Sequence, residues 1–167
     1  MPWAHEAPLP LEQTVELLRG FRGAFDLGRD YVYGILARDE SEALGGSGLH
    51  TRVGAEAFEI GYWIRASRSG EGLGTEATAA LARVGIELCG AGRIEIRVDP
   101  ENAPSLAIPR KLGFTEEGQL RGVFHRPDGG PSQRDPVVFA LLADELAGSP
   151  VASVQLEAFD ALGERVL

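Results

Sequence analysis

At 167 residues, with 44% apolar and 25% charged side chains, the chain has the size and composition of one soluble globular domain with a real hydrophobic core. Sixteen basic residues against 25 acidic ones leave a net charge of −9, which excludes general nucleic-acid binding but allows a local anion site and favours a cationic partner. No apolar run reaches the ~20 residues that span a bilayer, Met1–Glu6 lacks a secretory pattern, and the single cysteine, Cys89, excludes an internal disulfide; a cytoplasmic protein without a membrane partner is expected.

Pro10 opens an amphipathic stretch that puts Leu11, Val15, Leu18, Phe21 and Phe25 on one helical face, with Gly28 at its exit. Tyr31–Ala37 reads as a strand, Arg38–Glu42 as a polar turn, and Ala43–His50 as the return strand, weakened by glycines. Phe58–Ile64 is a further strand. Thr75–Cys89 is the clearest helix, with Ala77, Ala80, Leu81, Val84 and Leu88 as its apolar stripe and Cys89 read as a core residue. Arg93–Val98 alternates as a strand does, and a short helix, Pro104–Leu112, stops at Gly113. Gly118–His125 and Pro136–Leu142 read as two strands joined by the loop Arg126–Pro131. In the tail, Val154–Leu167, the run Asp160–Gly163 suits either a hairpin turn or a frayed helix. The order predicts a mixed α/β layer architecture with a helix crossing between strands, in a single domain over 1–167.

The segment Ile64–Glu76 carries the most chemistry. A strand ends, Gly70, Gly72 and Gly74 make a turn, and an amphipathic helix begins. Glycines permit positive φ and close approach of a ligand, and the free N–H groups of a helix start attract an anion, here a phosphate or diphosphate. The same turn can serve as a plain strand-to-helix connection. A dinucleotide site is a further reading, with Thr75 where its third glycine belongs and Asp99 as the ribose-binding acid, but the chain shows a single strand–helix–strand unit. Metal chemistry is not expected, since His5, His50 and His125 are scattered. Gly45–Gly48 approaches a hydrolase elbow but no crossover helix follows it. Trp3, Tyr62 and Trp63 read as core aromatics.

Gly70–Ala77 following Glu59–Ile64 resembles the acetyl-CoA motif of the GNAT superfamily. Asp99–Ser105 followed by Lys111–Phe114 resembles the second signature of its ribosomal-protein N-acetyltransferase branch, the RimJ/RimL-like proteins. The similarity runs from about Tyr31 to Leu142, with 148–167 as a C-terminal extension. Two positions depart from the pattern: Ser69 stands where the family has Arg or Gln, and Glu71 where it often has a basic residue, with Arg68 nearby to supply charge. The family's first strand and first helix have no counterpart before Met1–His5. Truncation, the tail Val154–Leu167 or a second copy of the chain in a homodimer would account for that.

The resemblance implies a mostly antiparallel mixed sheet with flanking helices, whose central strands, matching Tyr62–Ile64 and Arg93–Val98, splay apart to admit the pantetheine arm. It implies acetyl-CoA as acyl donor, no metal, and direct transfer of the acetyl group to a primary amine. Expected cofactor contacts are Trp63, Ile64, Arg68, Ser69, Gly70, Gly72, Leu73, Gly74, Thr75 and Asn102, with a backbone N–H near Trp63 or Ile64 on the oxyanion. Glu59 is expected as general base and Ser105 as general acid, with His50 in reserve for the base. Asn102 also suits a helix cap, and Pro109 removes the N–H that would bond the Ser105 carbonyl, so the short helix should loosen there. A non-catalytic acyl-CoA-binding module is the alternative from another class. Acceptor choice is expected in the segments Thr51–Ala57 and Arg126–Asp135.

Overall fold

The computed structural model describes residues 9–123 and 135–167. Trp3, His5, His125 and the loop 126–134 lie outside the described residues. Helix α1 (Leu11–Asp26) leads into strands β1 (Asp30–Leu36), β2 (Ala43–His50) and β3 (Ala57–Ile64). Helix α2 (Leu73–Glu87), β4 (Arg93–Val98), α3 (Ala103–Lys111), β5 (Thr115–Gln119) and β6 (Val137–Leu142) follow. The strands form one sheet in the order β1-β2-β3-β4-β6-β5, antiparallel throughout except for the parallel pair β3–β4. This is the mixed, mostly antiparallel sheet that the sequence predicts. No described helix is long and apolar enough to cross a membrane.

Side-chain alternation gives the sheet two unlike faces. Leu49, Ile60, Ile94, Ile96, Phe139 and Leu141 are almost fully buried on the first face, under α2 and α3. The other face carries His50, Glu59, Gly61, Trp63, Arg93, Glu95 and Arg97, placed there by the same register. Helix α2 lies close on the sheet because its innermost residues are small: Gly74, Thr78, Ala79, Ala82 and Gly85 are buried, and a Cβ on Gly85 would stand 2.8 Å from Ile94. The predicted stripe was therefore rotated. Leu81 and Val84 flank the contact, Leu88 is exposed, and Cys89, past the helix end, is exposed rather than in the core. Small residues carry little weight in an apolar pattern, although they allow the closest approach.

Three other elements take a more definite form. Helix α1 forms, but none of its residues is buried, and its stripe touches the rest chiefly through Phe25, edge-on against Tyr31 and Tyr33. Strand β5 begins at Thr115, not Gly118, because Gly113 (φ +80°) turns the chain out of α3 straight into pairing with β6. The strand ends at Gln119, and the Leu120 N–H then meets the Pro136 carbonyl. The tail takes its hairpin form. Asp160 accepts from Leu162, Gly163 and Glu164, and the tail's bridge joins Phe159 to Arg165, so the tail adds no strand to β1.

Glycines in β2 serve a purpose that their weak strand propensity hides. A Cβ on Gly45 would collide with the Trp63 carbonyl, and one on Gly46 would stand 2.6 Å from the Trp63 indole nitrogen. Bare backbone here lets β2 and the Trp63 ring approach.

Thr78 is fully buried, and its hydroxyl is the one buried side-chain polar atom without a partner among the described residues. A buried unpaired hydroxyl costs about 1–3 kcal/mol. Thr78→Val keeps the shape and removes the group, so thermal unfolding should shift upward by about 2–4 °C per kcal/mol recovered. A lower midpoint would mean that the hydroxyl has a partner in solution.

Candidate active site

The parallel pair β3–β4 holds for three positions only, Ala57 with Arg93, Phe58 with Ile94 and Glu59 with Glu95, and then the strands part. Beyond Glu59 the edge of β3 faces a gap. The ladder bond from the Arg65 N–H to the Leu44 carbonyl (2.8 Å) fixes which groups face it. Alternation turns the amides of Arg65, Trp63 and Gly61 towards β2 and leaves those of Tyr62 and Ile64 pointing into the gap. Of the two N–H groups expected near an oxyanion, Ile64 is thus available and Trp63 is not.

The gap opens onto a cleft of about 420 Å³. Its lining includes Trp63, Ile64, Arg68, Ser69, Gly70, Gly72, Leu73, Gly74, Thr75, Asn102 and Ser105, which brings together every expected cofactor contact and the expected general acid. Gly70 (φ +86°) and Gly72 (φ +87°) hold the left-handed conformations that the turn requires. Gly72 caps α2 without any side-chain bond, and the first backbone bond of the helix runs from the Glu76 N–H to the Gly72 carbonyl. The start of α2 is thus a helix terminus not closed by a side chain, the arrangement that favours an anion.

The cations around it are arranged less simply. Arg68 donates to both oxygens of Glu71 at 2.9 Å and to Glu42 at 3.2 Å. Hydrogen bonding to Glu71 raises the Arg68 guanidinium above its ordinary value, and the same bond lowers the Glu71 carboxyl. Glu71 therefore neutralises the residue expected to replace the missing charge. Lys111, in the last turn of α3, also lines the cleft. The sequence signalled it only as part of the Lys111–Phe114 run.

At the α3 side, the hydroxyls of Tyr62 and Ser105 lie 2.9 Å apart, and the Tyr62 hydroxyl also donates to the Ser105 carbonyl at 3.2 Å. That carbonyl is available because Pro109, four residues on, has no N–H. The helix nonetheless runs unbroken from Ala103 to Lys111. Asn102 accepts from the Ser105 N–H at 3.2 Å and so caps α3 while lining the cleft. Burial pushes the Tyr62 hydroxyl above the usual phenol range, so it keeps its proton at neutral pH. Tyr62 is the residue that sequence reasoning missed. Its signal was position, one strand repeat from Ile60 and Ile64 on the face that meets α3.

Glu59 lies elsewhere. It is buried on the opposite face at the vertex where β3 and β4 part, and both its oxygens accept from Arg52, at 2.9 and 2.7 Å, with Arg97 at 3.7 Å. Glu59, expected as general base, is thus hydrogen-bonded through both oxygens to Arg52 and does not line the cleft, while Arg97 bonds Glu95 instead. Glu95 beside it is held in the same way by Arg93 and Arg97. His50 stands next to Glu59 in the β2–β3 register.

The sequence profile of the acetyltransferase (GNAT) domain matches residues 1–115. The chain belongs to the GNAT acetyltransferase family. Among GNAT relatives, it is 32% identical over 118 residues to the uncharacterized N-acetyltransferase p20 of Bacillus licheniformis, covering 70% of this chain and 64% of p20. The chain spans less than two thirds of the length of the curated relatives that it matches. Its structure is similar to that of Mycobacterium smegmatis RimJ, solved with CoA-disulfide, with a TM-score of 0.75 at 28% identity over 90% of this chain and 74% of RimJ. The ribosomal-protein-S5-alanine acetyltransferase of Vibrio fischeri shares the fold, with a TM-score of 0.73 at 17% identity over 86% of this chain and 80% of the other. The likeness to RimJ supports the RimJ/RimL-like branch of the GNAT family.

Glu71→Gln removes an acidic charge one residue before the α2 N-cap and releases Arg68. Coenzyme A binding, read by calorimetry, should tighten by about three- to tenfold at low salt. Unchanged affinity would place the phosphates away from this turn.

Proposed function

We propose that the chain transfers an acetyl group from acetyl-CoA to a primary amine by direct attack within a ternary complex. One observation supports this above the rest: a single cleft joins the uncapped start of α2, the free edge of β3 and the Tyr62–Ser105 hydroxyl pair. In this reading the α2 terminus, with Lys111 and Arg68, takes the diphosphate. The pantetheine arm bonds the open edge at Tyr62 and Ile64 as an added strand would. The Ile64 N–H stabilises the oxyanion.

The amine nitrogen attacks the thioester carbonyl, the C–N bond forms, and the C–S bond breaks with its electron pair on sulfur. Ser105 gives that sulfur a proton and recovers one from the Tyr62 hydroxyl, which takes its own replacement from solvent in the same relay, so that both hydroxyls end the cycle protonated. Glu59 holds the vertex through Arg52 and Arg97 and so fixes how far the strands part. The α-amine of a protein N-terminus is the acceptor class that the RimJ likeness favours. A small amine is the alternative arm of the same test.

A second reading, an acyl-CoA-binding module without turnover, has one observation behind it, the neutralisation of Arg68 by Glu71 and Glu42. Calorimetry with acetyl-CoA, followed by thiol-release assays on a serine-led hexapeptide, spermidine and an aminoglycoside, separates the two. Binding with turnover supports the enzyme, binding without turnover the module, and the absence of binding rejects both. Ser105→Ala should lower kcat about 100-fold and Tyr62→Phe about tenfold. Both should leave the dissociation constant for CoA within about twofold, which separates proton supply from binding. If neither variant slows turnover, the hydroxyl pair has no part in the chemistry.

A further inference from the structure

Both oxygens of Glu59, the general base expected from the sequence, already accept from Arg52, so a second acceptor near the vertex bears on where the proton of the incoming amine goes. A row of titratable residues crosses the helix-free face of the sheet at the level of the vertex. Asp30 on β1 pairs in register with His50 on β2, His50 with Glu59 on β3, and Glu59 with Glu95 on β4. The two glutamates are occupied by Arg52, Arg93 and Arg97. His50 has a different partner. Its Nδ1 lies 2.7 Å from an oxygen of Asp30. A carboxylate can only accept, so Nδ1 carries the hydrogen and Nε2 of the neutral ring presents a lone pair.

The direction of that lone pair is set by two glycines. A Cβ on Gly48 or on Gly61 would stand 3.1 Å from Nε2, so the ring edge packs closely on the bare backbone of these two glycines. Gly61 lies between Glu59, the last residue of β3 paired with β4, and Tyr62, whose amide faces the gap. Nε2 therefore sits beside the point where the strands part, on the face opposite the helices that line the cofactor cleft. The side chain is 17% exposed.

We propose that His50 takes the proton from the acceptor amine at this point and that Asp30 is its positioning residue, a role that rests on the acetyl-transfer reading above. An ammonium group gives one proton to Nε2, and the freed lone pair forms the C–N bond. The second proton leaves with solvent after attack, and the imidazolium, steadied by Asp30, releases its proton once product departs. The charged groups facing His50 are Asp30 from β1, Arg52 from the turn after β2 and Glu59 from β3. Arg52 and Glu59 satisfy each other, so Asp30 is the partner that sets the tautomer.

The test compares kcat/KM from pH 5.5 to 9.5 for the wild type, His50→Gln and Asp30→Asn on one amine that the wild type acetylates, with CoA binding and thermal unfolding measured alongside. Using one amine cancels its own ionisation. His50→Gln should lose an acidic limb that the wild type shows and fall about 100-fold at the plateau, with unchanged CoA affinity. Asp30→Asn can invert the tautomer, so it should fall at least about tenfold while remaining folded. Wild-type pH dependence in His50→Gln, with rates within about threefold, would reduce the pair to a clip between β1 and β2 and overturn the proposal. If His50→Gln does not fold, Asp30→Asn decides: wild-type rates in that variant overturn it. Failure of the wild type to bind CoA, or binding without acetylation of any amine tried, rejects the acetyl-transfer reading itself, and this proposal with it.

Discussion

The vertex between β3 and β4 governs the rest of the molecule. After Glu59 and Glu95 the two strands exchange no further bonds, so one edge of β3 keeps backbone groups that a sheet would otherwise consume. Unpaired backbone inside a fold is costly unless something else pairs it. Arg52, Arg93 and Arg97 hold the carboxylates at the point of parting, while α2 and α3 bridge the divergence on the first face. Glu117, the strongest of the Arg93 contacts, raises the Arg93 guanidinium above its ordinary value and extends the same ionic lattice to β5. The gap is kept open by charge on one side and by packed helices on the other.

Pro109 shows how a local rule reaches the chemistry. A proline in a helix interior normally only costs stability, because the carbonyl four residues earlier loses its donor. Here that carbonyl belongs to Ser105 and takes the Tyr62 hydroxyl instead, which brings two hydroxyls within hydrogen-bonding distance at the cleft wall. The loss in α3 is offset by a contact between strand and helix.

The legible parts of the sequence were those where the backbone itself is constrained. Gly70 and Gly72 announce a turn with positive φ, Asn102 a helix start and Gly113 a helix stop, and each lies where the pattern put it. Side-chain partnerships between distant strands were less legible. Asp30 and His50 meet because β1 pairs with β2 in one register, and Glu59 meets Arg52 because the intervening turn folds back; neither follows from spacing alone. The α2 stripe was misjudged for a related reason: large residues mark an apolar pattern, but Thr78, Ala82 and Gly85 make the contact. The start of β5 was missed because Val123–His125 has strand-forming composition, whereas pairing is set by Gly113 and Pro136.

The Arg68–Glu71–Glu42 cluster bears on which anions the cleft admits. With the Arg68 guanidinium matched by two carboxylates, a single phosphate at the turn meets chiefly the backbone N–H groups of the α2 terminus. A ligand that spans the turn, the α2 terminus and Lys111 together makes several contacts at once. The pairing of Arg68 thus shifts the anion attraction of this end of the cleft towards backbone N–H groups and Lys111, which an extended polyanion can meet together.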